Sequence, residues 1–368
     1  MSDPRVDAVA KVLVEYSVGV KPGQLVRIDG NFEGAPLLLA VYRKVLEVGG
    51  NPFLDGGLEE TEEAFFRLAS EAQIDHVPNF LRAMVEEIDS NIGVWTDANT
   101  KRLSSVDPAK QARRATAHRE LDERFLERAA KKELHWVGTV YPTHGVAQDA
   151  EMSLGEFEDF VYGACHVEEK DPIAYWRDLS LRQKRLVDFL TPRSSVHVLG
   201  PDTDLYLSTR GRVWENCDGH ENFPDGEVFT GPIEESVEGM IRFSFPACYY
   251  GREVEDVRLV FKKGKVVEAR AGKNKAFLEE MLRADDGARY VGEFALGTKP
   301  GIQRFTKSTL FDEKIGGTIH LALGKGYPET GSKNSSAIHW DMVCDLRQGG
   351  RIEIDGEPFL VDGKILVD

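Results

Sequence analysis

The chain has 368 residues, of which 41% are hydrophobic and 29% charged, with a formal net charge of −16 at pH 7. That composition excludes a fibrous or mainly disordered chain, and the length points to about two domains. So acidic a chain lacks the clustered cations that a nucleic-acid coat or an anionic membrane surface requires.

From the N-terminus, apolar Val6, Val9, Ala10, Leu13 and Val14 recur at helical spacing and predict a helix over 4–17. Pro22-Gly23 breaks it, and a short strand follows at 24–28. A second helix spans 34–48 and ends at Gly49-Gly50, before a short strand at 52–54. Helices over 59–73 and 79–88, a strand at 91–96, a helix over 107–131 and a strand at 134–140 continue the alternation. Two more helices are expected at 153–164 and 171–190. Alternation of this kind implies a largely parallel sheet flanked by helices.

From about residue 194 the texture changes to short β segments at 195–199, 205–207, 257–261 and 266–269, with one helix near 275–285. Asp355-Gly356 and Asp362-Gly363 are hairpin signals. The fold class is therefore α/β: an N-terminal α/β domain over 1–190 and a C-terminal mixed α+β domain over 191–368, joined near Pro192–Ser195. Cys165, Cys217, Cys248 and Cys344 lie far apart with no C-x-x-C, which reads as reduced thiols of a cytoplasmic protein. The opening residues lack a cationic stretch leading into an apolar core, so no signal peptide is expected. No apolar run approaches the roughly 18 residues that a membrane span needs.

Candidate chemistry clusters in the second half. In SAIHWDMVCDL (336–346), a strand would project His339 and Asp341 to one face, roughly 6.5–7 Å apart, with Trp340 and Met342 opposite. The same pattern also fits a buried hydrogen-bonded His–Asp pair. His320 opens the apolar run of TIHLALGKGYPETG (318–331), and Tyr327 sits in the turn-rich loop after it. Glu293 lies in GEFALG and Glu227 in NFPDGEVFTGP. Each residue alone fits packing or a solvated turn. Together, two histidines and three carboxylates in apolar contexts could hold two divalent ions. Without Cys in the set, a catalytic site is favoured over a structural zinc site. No G-x-S-x-G, H-E-x-x-H, P-loop or G-x-G-x-x-G is present. His76, His118, His135, His144, His166, His197 and His220 have no ligand-like spacing, and Lys110–Arg114 reads as a solvated helix face.

The strings PDGEVFTGP, VGEFALG, IHLALGKGYPETG and SAIHWD, in this order, resemble the aminopeptidase T family of metalloaminopeptidases. The opening KVLVEYSVGVKPGQLVRI is similar to that family's N-terminus, so the resemblance spans essentially the whole chain. By that resemblance Glu227, Glu293, His320, His339 and Asp341 would be metal ligands and Tyr327 an active-site tyrosine. The implied activity is removal of N-terminal amino acids from peptides with a free N-terminus. The implied cofactors are two divalent ions (Co, Zn, Mn or Mg), and the implied assembly is a homodimer with an enclosed active-site cavity.

The family often has a further glutamate shortly before the first histidine. The candidate is Glu313 in FDEKIGGTIH, seven residues before His320, as ligand, general base or surface carboxylate. In the implied mechanism a water shared by both ions attacks the scissile carbonyl. Glu293 or Glu313 moves its proton, Tyr327 donates to the oxyanion, and Asp341 bridges the ions. The competing reading is a ring-cleaving dioxygenase with one non-haem iron on His320, His339 and Asp341. The presence of both Glu227 and Glu293 favours two metals and hydrolysis.

Overall fold

The computed structural model describes residues 3–249 and 251–367. The chain divides into two compact units. The first runs to Tyr175 and takes in Gly219–Pro224; the second comprises Trp176–Asp218 and the chain from Asp225 onward. The division falls inside the helix Pro172–Leu190, whose far end is the boundary drawn from sequence.

In the first unit a five-stranded sheet has the order Asn51–Gly57, Leu25–Asn31, Ser90–Trp95, His135–Val140, Asn222–Phe223. Every pairing in it is parallel. The fifth strand is only two residues long and comes from within the β-rich half, too short to carry a periodicity. Val26, Ile28, Ile92, Val94 and Val137 alternate to one face and are buried, as are Val9, Leu13, Leu38 and Val41 from the helices. The expected strand–helix alternation is thus present.

Three local differences stand out, and capping accounts for two of them. The first helix, Pro4–Val12, continues as a wider turn over Leu13–Ser17. The helix expected over 59–73 is two, Glu59–Leu68 and Glu71–Ile74. Ser70 starts the second with a capping box closed by Gln73, so two orphan N–H groups are satisfied at the break. A further helix, His144–Asp149, is capped by the Thr143 side chain and has too few apolar residues to show a stripe. The basic run also differs from expectation. On the helix Pro108–Ala130, Lys110 donates to the Phe66 carbonyl, Arg113 pairs with Asp75, and Arg114 donates to the carbonyls of Ile74 and His76. It ties down the neighbouring short helices rather than facing only water.

The second unit is built from antiparallel sheets. Eight strands run in the order Lys265–Arg270, Arg258–Lys262, Glu238–Arg242, Thr203–Ser208, Ser195–Gly200, Arg351–Ile354, Glu357–Val361, Lys364–Ile365. Both Asp-Gly pairs form the expected hairpins, with Asp355 and Asp362 at positive φ. A separate five-stranded sheet carries the candidate site. No helix among the described residues is long and apolar enough to cross a membrane. Cys165 and Cys344 are buried, and Cys217 and Cys248 are half-buried.

Candidate metal centre

The site sheet has the order His339–Asp345, Thr318–Gly324, Val291–Gly297, Glu227–Thr230, Glu215–Cys217, with antiparallel pairing throughout. Residues opposite one another in such a ladder share a face. Glu293 stands opposite Ala322, which stands opposite Asp341. His320 is opposite Ala295 and Val343, His339 is opposite Gly324, and Glu227 is opposite Gly297. The period of two then places Glu227, Glu293, His320, His339 and Asp341 on one face. Val228, Phe294, Leu296, Ile319, Leu321, Leu323, Trp340 and Met342 point the other way into the hydrophobic core. Burial of that apolar face fixes the register, because a slip of one residue would exchange the two faces.

A bulge at Gly292 corrects the phase. Val291 and Glu293 would share a face in a regular strand, but the register shifts between them. Val291 therefore packs into the core while Glu293 turns to the site. The position needs glycine, because a Cβ there would lie 2.4 Å from the carbonyl oxygens of Gly324 and Lys325. Gly292→Ala should destabilise the protein by about 1–3 kcal/mol, the usual scale for overpacking. It should lower activity further than the stability loss explains. Thermal denaturation alongside initial rates checks this, and wild-type values of both would show that the bulge does not aim Glu293.

The side chains converge closely. Glu293 Oε1 lies 3.2 Å from His320 Nε2, and Glu293 Oε2 lies 3.5 Å from His339 Nε2. Glu227 Oε2 is 3.4 Å from His320 Nε2, and Asp341 Oδ2 is 3.5 Å from His339 Nε2. Potential ligand atoms fall within 4.8 Å of one another in three overlapping groups: Glu227–Glu293–His320, Glu293–His339–Asp341 and Glu313–His320–Asp341. The structure thus brings all six sequence-nominated ligand candidates together. Glu313 is at the end of the short helix Thr309–Asp312 and joins the cluster rather than the open surface. Glu293 is in contact with both imidazoles, and Asp341 shares a group with each of them.

Histidine orientation is set from outside. His339 Nδ1 lies 2.8 Å from the Lys325 carbonyl, which can only accept. Nδ1 therefore carries the proton and Nε2 is left to face Glu293 and Asp341, an arrangement common to metal-binding histidines. Tyr327 meets His339 edge-on at 5.1 Å and Phe229 at 5.5 Å between ring centroids. Burial, reinforced by Glu293 and Asp341, keeps its phenol protonated far above the ordinary range.

Electrostatics favour a cation here. Burial raises Glu227 and pushes Asp341 up to about 7, although Lys314 and His339 respectively oppose this. Burial disfavours a charged His320, but Glu227 and Glu293 outweigh it and push the imidazole up to about 10. Glu227 Oε2, Asp341 Oδ1 and His320 Nδ1 are buried with no hydrogen-bond partner. Buried, unsatisfied carboxylate oxygens are costly unless a cation meets them. Mixed imidazole and carboxylate donors suit a first-row divalent ion, so the residues fit such an ion.

Sequence reasoning missed three supports. Lys314 donates to Glu227 and Glu313. Gln183 is buried, and its amide nitrogen reaches the carbonyls of Cys217 and Glu227 and Oδ1 of Asn216, pinning the strand that begins at Glu227. Asp225 and Cys217 form a further close group with Glu227. A lysine beside a glutamate reads as a surface pair, and a single Gln on a helix carries no pattern. Among the described residues, the remaining histidines take part in none of the ligand groups; His197, for example, stacks on Tyr206 and pairs with Asp204.

Known proteins similar to this chain carry metalloprotease and aminopeptidase names. The family model described as thermophilic metalloprotease (M29) matches residues 2–364. Aminopeptidase 2 of Geobacillus stearothermophilus is 26% identical, covering 98% of this chain and 95% of its own length. Aminopeptidase T of Thermus thermophilus is 28% identical, covering 95% and 94%. The solved structure of wild-type AmpT from Thermus thermophilus superposes with a TM-score of 0.87 at 25% identity, over 99% of both chains.

Proposed function

The chain belongs to the thermophilic metalloprotease (M29) family and is a metal-dependent aminopeptidase, and from that premise we propose that its second unit holds two divalent ions. The observation that carries this reading is the cluster of two histidines and three carboxylates on one sheet face, joined by Glu313, with Glu293 reaching both imidazoles. Glu227, His320 and Glu293 would hold one ion, and Glu293, His339 and Asp341 the other. Bound ions of this kind polarise a scissile carbonyl and make water nucleophilic near neutral pH.

The chain's own groups supply the rest. Both oxygens of Glu293 face imidazoles, so Glu313 is the better proton carrier. Burial would raise Glu313, but Lys314 and His320 hold it below the ordinary range, so it is ionised and can accept a proton at neutral pH. It would pass that proton to the leaving amine. Tyr327 keeps its proton and donates a hydrogen bond to the oxyanion. A carboxylate of the cluster would receive the substrate's free α-amine. The ring-cleaving dioxygenase considered from the sequence has no support, because the family and the relatives it resembles carry protease and aminopeptidase names. The assignment of catalysis to residues 191–368 and the homodimer extend the same reading and rest on the family resemblance, while the cytoplasmic location rests on the widely spaced cysteines.

The test is hydrolysis of leucine p-nitroanilide by chelator-stripped protein, titrated separately with cobalt, zinc, manganese and magnesium. Activity should be absent in the stripped protein and return as about two equivalents bind. Full activity after stripping would sink the metal-dependent reading, and saturation at one equivalent would sink the dinuclear form of it.

A further inference from the structure

Lys314 is fully buried. Its backbone is held on both sides: its N–H donates to the Phe311 carbonyl at 3.1 Å, and its carbonyl accepts from Lys299 N–H at 3.0 Å. Enclosed on all sides, the side chain has little choice of direction. Its Nζ lies 2.8 Å from Glu227 Oε1, 2.7 Å from Glu313 Oε2 and 3.6 Å from Asp225 Oδ1. Three carboxylates match the three donors of an ammonium group. The Cys217–Asp225–Glu227 group thus has its cation already, supplied by the chain.

The consequence for Glu227 is geometric. Oε1 is committed to Lys314, while Oε2 has no hydrogen-bond partner and faces His320 Nε2 at 3.4 Å. One oxygen of Glu313 is committed in the same way. Resting on the metal reading above, we propose that Lys314 is a positioning residue that limits Glu227 and Glu313 to one available oxygen each and keeps a fixed positive charge beside the metal cluster. Burying an ammonium is costly unless carboxylates compensate it. Here the same two carboxylates are set in place by it, so ligand geometry and charge are fixed together.

Lys314→Met keeps most of the side-chain length and removes both donors and charge. With cobalt loaded, the freed oxygens can also bind, so coordination number rises and the visible absorption of bound cobalt weakens. Loss of the cation should move the acid limb of the kcat/KM profile up by about one pH unit, the low end for an opposite charge within 4–6 Å. A folded Lys314→Met protein with the wild-type cobalt spectrum and acid limb would overturn the proposal. If Lys314→Met gives no cooperative melt, Lys314→Gln decides, since it retains a donor without charge. That variant should shift the acid limb upward, and an unmoved limb overturns the proposal. Failure of the metal reading is seen separately, as absence of cobalt uptake by the wild-type protein.

Discussion

Glu293→Gln is expected to reduce activity by about 10³ or more and to lower bound cobalt from about two equivalents to one or fewer. The size follows from losing several kcal/mol of metal-assisted stabilisation at about 1.4 kcal/mol per tenfold. The direction follows from geometry. Glu293 Oε1 and Oε2 each face a different imidazole, 3.2 and 3.5 Å away. A glutamine has the same shape but one oxygen, and its NH2 group repels a cation from the other position. Asp341→Asn disturbs one imidazole contact, so its loss should be smaller and should leave more metal bound. Equilibrium dialysis against cobalt, with kcat measured on the same samples, orders the two variants. If Asp341→Asn loses both ions while Glu293→Gln keeps them, the bridge is Asp341 and the assignment made here is wrong.

The reasons some of this was legible in sequence and some was not are specific. His339 and Asp341 could be placed on one face because strand periodicity is two and Trp340 and Met342 are too apolar for the other side of a wet sheet. Long helices such as Ala35–Glu47, with its apolar stripe, and Pro108–Ala130, rich in Arg and Ala, were visible within a residue or two. Glu293 was visible as a carboxylate in an apolar run, but its face was not: Gly292 inserts a residue, and a bulge has no periodic signature. Lys314 was invisible because its role depends on Glu227, 87 positions away, meeting it in the interior. The strand Asn222–Phe223 was missed for a similar reason, since two residues pair with the first unit's sheet from inside the β-rich half. What a sequence displays are repeating local preferences; what it conceals are single contacts between distant positions.

Tyr327→Phe is the second large effect, and it separates chemistry from metal binding. The ring is retained, so its edge contacts with His339 and Phe229 should survive and stability should change by no more than about 0.5 kcal/mol. Cobalt stoichiometry should stay at the wild-type value, because the proposed ligands are the histidines and carboxylates, which the substitution leaves in place. Only the donor is removed. Tyr327 is 38% exposed, so a substrate bound at the cluster can reach it. Removing one oxyanion donor costs about 10²–10³ in kcat. A donor that acts mainly on the developing oxyanion lowers kcat and kcat/KM together and leaves KM near its original value. Steady-state kinetics on leucine p-nitroanilide at saturating metal measure both parameters. A loss under about threefold in kcat would remove Tyr327 from the chemistry. A loss confined to KM would make it a substrate-binding residue, which its place at the open edge of the cluster also permits.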